Sequence, residues 1–378
     1  MIIYQYIREM NKRTRVIAIY LPQYHPIPEN NEVWGKGFTE WVNVAQARPL
    51  FKGHYQPRIP RDLGFYDLRM PEIREAQAKM AQDAGIEGFM YWQYYFGNNK
   101  KLLERPFEEV LASGKPDFPF CLGWANHSWQ TKTWKRDASL KEGKTMIMEQ
   151  RYDGEKQYIE HFKYNLPAFK DKRYITVDDK PLFVIWNPLD HSEQITILIN
   201  TWRRLALENG LKGIYFVGRQ YLGDTVDRIL NMGFDAVYQE RTANALNQGE
   251  KYSFLYKLRK YVEVKYGIHL GINKHDFAKC YKYLLSEESR KKNIYPTLVA
   301  GYDRSPRAGN KAQLFYNFTP DTWKKHVEDT LNLISHKDDE HKIVFLKSWN
   351  EWGESNYMEP DIKYGSALLD ILRTELKG

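Results

Sequence analysis

Short apolar runs of strand character alternate with longer amphipathic stretches along almost the whole chain. Runs rich in β-branched and aromatic residues between turn-forming residues read as strands, and apolar residues recurring every third or fourth position read as helices. Eight strands are predicted, near 15–21 (RVIAIYL), 87–94 (EGFMYWQY), 118–125 (FPFCLGWA), 181–187 (PLFVIWN), 213–218 (GIYFVG), 234–239 (FDAVYQ), 294–301 (IYPTLVAG) and 343–349 (IVFLKSW). Helices are predicted between most of them, for example over 70–84, 153–169, 192–209 and 320–334. Eight strand-helix units point to an α/β fold of the (β/α)8 barrel type, in which catalytic groups sit where strands end and loops begin. The alternative, a doubly wound open sheet, usually shows a Gly-rich turn after its first strand. This chain has LPQYHPIPEN there.

The predicted strand ends carry a ring of polar and aromatic residues: Gln23 and His25, Tyr94 and Tyr95, Asn126 and His127, Asn187, Arg219 and Gln220, Glu240 and Arg241, Asp303 and Arg304, and Asn350 with Glu351. The connections are unequal. The first, 22–70, is long and Pro-rich, contains WGKGFTEW and shows little helical pattern, as binding loops often do. The connection after the sixth strand, 241–293, reads as a basic helical insertion. Residues 1–378 otherwise read as a single barrel without a linker.

Charge adds one element to this picture. Of a net +8, most lies between 251 and 293, where eleven Lys or Arg face four acids and alternate with aromatics. The plain reading is a solvated helical face; the sharper one places some of Lys257, Arg259, Lys260 and Lys265 at the cleft mouth, where they would favour acidic glycans. Nucleic acid is not expected, because no recognised binding motif accompanies the charge. Cys121 and Cys280 are far apart and fit a reducing compartment. The N-terminus makes a poor signal peptide and no run is long enough for a membrane helix, so the chain reads as cytoplasmic, with export open if a leader was removed. The ten His show no metal-binding spacing, and neither a phosphate-cradling loop nor an Asp-x-Asp pair is present, so no metal or cofactor is expected.

The candidate chemistry is in IVFLKSWNEWGE, where a strand breaks into Glu351 and Glu354 among Trp349, Asn350 and Trp352. Two acids can exchange protons and support an oxocarbenium-like transition state, and flat indoles pack against the apolar faces of sugar rings. If the strand exits into a helical turn, acids three apart lie on one side. The plain alternative is a pair of surface acids at a helix start.

Together with YLPQYHPIPENNEVWGKGFTEW (20–41), HYQPRIPRDLGFYDLR (54–69), LGWANHSW (122–129), YDRSPR (302–307) and SWNEWGESNYMEPD (348–361), these residues resemble the WbsX-type proteins, often labelled glycosyltransferases or lipopolysaccharide biosynthesis proteins. These in turn look like the family 99 glycoside hydrolases, the endo-α-mannosidase-like barrels. The resemblance implies that Glu354 is a general acid/base with a raised pKa and that Glu351 deprotonates the sugar 2-hydroxyl. The mannosidase pattern has His between its acids; this chain has Gly353. Sugar contacts are expected from Glu40, Trp34, Trp41, His25, Tyr94, Trp124, Asn126, His127, Trp129, Asn187, Arg219, Glu240, Asp303, Arg304, Asn350 and Trp352. About half of Trp34, Trp92, Trp124 and Trp129 are expected to be exposed to sugar. Asp303, Arg304 and Arg307 would hold an acidic substituent or brace a loop. The expected partner is an oligo- or polysaccharide, acidic ones included. The activity is glycosidase-like, with a glycosyltransferase and a non-catalytic glycan binder as the other readings.

Overall fold

The structure, a computed structural model, describes residues 14–130, 146–248 and 271–377, with Leu258, Tyr261, Val262, Lys265 and Tyr266. Parallel strands close into a barrel in the order predicted. They are β1 (Arg15–Tyr20), β2 (Gly88–Gly97), β3 (Phe120–Trp124), β4 (Lys180–Ile185), β5 (Tyr215–Gln220), β6 (Ala236–Gln239), β7 in two segments (Ile294–Tyr295 and Thr297–Leu298) and β8 (Ile343–Leu346). Their residues are buried almost throughout, as strands covered by side chains inside and helices outside must be.

The seventh strand is split by Pro296, which has no N–H to give a ladder. Its first half pairs with β6 (Val237 opposite Ile294) and its second with β8 (Leu298 opposite Leu346). The carbonyl of Pro296 still accepts from Phe345 N at 3.1 Å, so the break bends the wall without opening it. β1 pairs with both β2 and β8. Gly123 in β3 leaves room for its neighbours: a Cβ there would stand 2.9 Å from the Trp92 ring.

Helices at Pro71–Asp83, Glu155–Phe169, Ser192–Glu208 and Pro320–Ile334 cover the barrel close to their predicted bounds. The last starts with Thr319, whose hydroxyl accepts from Thr322 N in a reciprocal capping box. The first connection departs from expectation by containing two short helices, Pro28–Trp34 and Glu40–Gln46, the second capped by the Thr39 side chain. The connection after β6 is not purely helical: Asn273–Asp276 is a strand parallel to Gln313–Tyr316 in the loop after β7. That places 273–276 on the same side as the strand ends, with the Lys274 ammonium 4.4 Å over Phe51 of the first loop. Lys257, Arg259 and Lys260 lie outside the described residues; Lys265 is exposed and donates to the Tyr261 hydroxyl at 2.7 Å. Among the described residues no helix is long and apolar enough to cross a membrane.

Candidate active site

The chain leaving β8 folds into a narrow hairpin. Asn350–Glu351 pairs antiparallel with Asn356–Tyr357, and the tip, Trp352–Glu354, is a single 3-10 turn closed by Ser355 in a left-handed conformation (φ 49°). Asn350 clamps this hairpin to the start of the first loop: its Oδ1 accepts from Leu21 N at 2.8 Å and its Nδ2 donates to Leu21 O at 3.0 Å. Tyr24 adds a second clamp, its hydroxyl donating to Asn350 O at 2.6 Å and accepting from Trp352 N at 3.0 Å. Beneath, the indole N–H groups of Trp349 and Trp352 donate to Glu359 at 3.1 and 2.6 Å, and the Trp352 ring stacks on Tyr357 with centroids 3.7 Å apart. The tryptophans beside the acids therefore hold the frame.

From this frame Glu351 and Glu354 converge on one guanidinium. Arg307 lies in the short helix Ser305–Ala308 after β7. Its Nη2 donates to Glu351 at 2.5 Å and its Nη1 to Glu354 at 2.9 Å. Its Nε and Nη2 also reach Glu40, at 3.2 and 2.7 Å. Arg304 Nε lies 3.3 Å from Glu354. The two acids are not surface groups at a helix start: their side chains are 15% and 19% exposed, enough to meet a ligand but not to be hydrated freely.

Three carboxylates around two guanidiniums leave one negative charge uncompensated, and a proton can supply it. Burial, reinforced by the charges of Glu354 and Glu40 and opposed by Arg307, pushes Glu351 up to about 8. Burial also raises Glu40, against the pull of Arg307. Glu354 is buried too, but Arg307, Arg304 and Lys347 together outweigh that and hold it below the usual carboxylate value. The expected raised pKa on Glu354 is thus corrected, because Glu354 contacts both guanidiniums while Glu351 is bonded to Arg307 and feels Arg304 without a contact. Burial and like charge thus favour the neutral form of Glu351, while the guanidiniums favour the ionised form of Glu354.

This has a consequence for stability. Between the unfolded value near 4.5 and about 8, the folded chain retains a proton that the unfolded chain releases, so Glu351 costs stability as pH rises through that window. Buried Glu359, raised to about 7, acts in the same direction. Glu351→Gln should therefore unfold at a higher temperature than wild type above pH 8 and show little difference at pH 5. Melting curves at the two pH values check this; an equal shift at both would contradict it.

The acids and Arg307 line one end of a cavity of about 250 Å³. Its walls carry Trp34, Trp92, Tyr94, His127, Trp129 and Trp186, with Gln23 and Asn30 among the polar groups. Trp92 and Trp186 meet edge to face at 4.9 Å, as do Tyr94 and Trp129. Burial pushes the Tyr94 hydroxyl above its ordinary pKa, with the charge of Glu351 adding to it. His127 is held down at about 4 by burial, so it is neutral, and its Nδ1 has no partner in the fold.

Of the residues expected to touch sugar, Trp34, Tyr94, His127 and Trp129 stand on the cavity wall and Arg304 reaches its edge through Glu354. The others do not line it. Trp124 is fully buried with its indole N–H on Tyr95 O, so three of the four tryptophans in question line the cavity and the fourth is core. Trp41 donates to Tyr66 O and packs edge-on against that ring, and Trp352 lies in the frame just described. His25 is buried off the cavity. Asn126 and Asn187 tie the ends of β3 and β4 together, Asn126 Oδ1 accepting from Asn187 N at 2.7 Å. Arg219 stacks 3.5 Å behind the Trp186 ring and donates to Asn187 Oδ1 at 2.9 Å. Glu240 is paired with Lys347 at 3.0 Å, which together with Arg219 overcomes its burial and lowers it to about 2. Asp303 accepts from His54 and Gln56, both at 2.7 Å, and from Ser305 N, so it braces the loop that carries Arg307. Glu40 is wholly buried against Arg307.

Arg307 was legible as part of YDRSPR but not as the hub. Trp186, the last apolar residue of PLFVIWN, is not marked by the sequence, because nothing in that run separates a wall residue from a core one.

The fold is similar to that of a glycoside hydrolase-like protein (TM-score 0.59, 16% identity, 97% of this chain and 95% of the other). It is also similar to the family 99 endo-α-mannosidase from Bacteroides thetaiotaomicron in complex with bis-tris-propane (TM-score 0.56, 13% identity, 96% and 95% covered). At such identities the likeness concerns the fold. These likenesses place the chain among the (β/α)8 barrels. More particularly, residues 16–372 match the family described as glycosyltransferase WbsX, and the chain belongs to it. It is 32% identical over 364 residues to the uncharacterized protein WxcX of Xanthomonas campestris pv. campestris (strain ATCC 33913), and 32% identical over 378 residues to WxcX of strain B100. The match takes in 96% of this chain but only 49% of each relative, so the chain spans about half the length of the curated relatives it matches.

Proposed function

We propose that the protein cleaves glycosidic bonds with Glu351 and Glu354 as its acid/base pair. The observation that carries this is the pair itself: two partly exposed carboxyls at the end of β8, bonded to one guanidinium in a cavity lined with tryptophan. Both acids reach the cavity from one hairpin turn, which suits protonation of the leaving oxygen with assistance from the neighbouring 2-hydroxyl, a retaining route without direct attack by a carboxylate. In the free protein the division follows charge: Glu351 has a proton to give and Glu354 can accept one. The reverse division, implied by the family resemblance, requires the sugar to draw the guanidiniums away from Glu354 as it binds. The cluster is neutral with one proton aboard, which favours an uncharged sugar at the bond that breaks. The substrate is an oligo- or polysaccharide.

Leaving groups separate the two divisions. On aryl glycosides with an acidic phenol, which departs without protonation, the variant lacking the proton donor should retain most of its rate, while on unactivated glycans it should not. With Glu351 as donor, Glu351→Gln shows that contrast and Glu354→Gln loses both activities; the opposite pattern assigns donation to Glu354. The family description favours a second reading, transfer from an activated sugar. That reading predicts a rise in melting temperature with a sugar nucleotide or lipid-linked donor.

A further inference from the structure

Glu40 has no exposed surface and does not line the cavity, yet it makes the closest two-point contact with Arg307, through Nε and Nη2. An ionised carboxylate on that edge of a guanidinium is the strong, directional form of the pair. It fixes the plane of Arg307, and with that plane fixed Nη1 and Nη2 point at Glu354 and Glu351. The backbone between the two acids shows the same constraint from the other side. A Cβ at Gly353 would stand 2.0 Å from Glu40 Oε2 and 2.9 Å from Arg307 Nε. The space a side chain at Gly353 would need is taken by the Glu40 carboxylate.

We propose that Glu40 is a positioning residue that acts through Arg307 to fix the placement of the Glu351/Glu354 pair. This rests on the reading of those two acids as the catalytic pair. Removing the Glu40 charge withdraws a like charge from Glu351 and frees more of the Arg307 charge to act on it, and both effects favour ionised Glu351. The other groups facing Glu351 are Glu354, Lys347, Arg304 and the Tyr24 and Tyr94 hydroxyls; those facing Glu40, besides Arg307 and Glu351, are Glu354, Asn43 and the same two phenols. None of them changes in the variants below.

The test needs no substrate. The full chain labelled with 13C at the glutamate carboxyls is titrated by NMR, and Glu351→Gln identifies the Glu351 signal by its loss. Wild type should show that signal titrating near 8. In Glu40→Gln, which keeps an acceptor for Arg307, the midpoint should fall by about one pH unit or more. Gly353→Ala, which pushes the Glu40 carboxylate aside, should lower it as well. A purely structural Glu40 would lower the melting temperature and leave the midpoint in place. If Glu40→Gln does not fold, Gly353→Ala decides. An unchanged midpoint in the folded variants overturns the proposal, as does a wild-type Glu351 titrating at an ordinary carboxylate value. The catalytic reading fails separately, through glycan cleavage that survives Glu351→Gln and Glu354→Gln.

Discussion

Replacing Arg307 with methionine should destabilise the protein by about 3–5 kcal/mol, the cost of leaving buried charge without its partner. Methionine fills much of the same space, so lost packing contributes little. What is lost is one cation that donates to Glu40, Glu351 and Glu354 together. The three acids would then take up protons, and the destabilisation should shrink as pH falls towards 5. Combining Arg307→Met with Glu40→Gln should recover part of the loss, since the two residues are in contact and their effects cannot simply add. Arg307→Lys should rescue poorly, because a single ammonium cannot span three carboxylates as a planar fork does. Urea unfolding of wild type and the three variants measures all of this. Losses under about 1 kcal/mol for Arg307→Met would show that the cluster is more hydrated than its burial indicates.

The second large effect is on rate. Glu351→Gln and Glu354→Gln should each lower the cleavage rate of an unactivated glycan by about 10²- to 10⁴-fold, the usual contribution of a positioned acid or base. The double variant should be little worse than the worse single one, because the two groups act in one step. Substrate affinity should change far less than turnover, since glutamine preserves shape and keeps an acceptor for Arg307. Trp129→Ala should show the opposite balance, with binding weakened and turnover at saturation mostly retained. Rate against pH should be bell-shaped, with an alkaline limb near 8 that follows Glu351 and an acid limb that follows Glu354. The two limbs belong to the coupled pair and not to either residue alone.

The barrel was readable because each parallel strand is a compact apolar run with a helix of clear period beside it, and this signal is local. The acids were readable for the same reason, Glu351 and Glu354 being three apart on one turn. What escaped was set by contacts across the chain. Glu40 and Arg307 are separated by 267 positions and meet only because the first and seventh loops cross over the same strand end. Burial of Glu40 therefore could not be inferred from GFTEW. Proton placement escaped likewise: Glu354 looked like the acid until Arg304 and Arg307 were both found facing it. For the tryptophans, type alone does not tell core from wall. Trp124 and Trp129 lie five positions apart, one beneath Tyr95 and the other on the cavity. Gly353 carried a signal that sequence could register only as a missing histidine; its meaning, room for another residue's carboxylate, is geometric.

The most direct test of the account is release of reducing sugar from a panel of bacterial and plant glycans by wild type, Glu351→Gln and Glu354→Gln, each confirmed folded by its melting curve. Wild type should cleave at least one uncharged glycan, with both variants slower by about two orders of magnitude or more. Cleavage at equal rates by all three proteins would contradict it, because the chemistry would then lie outside the Glu351/Glu354 pair.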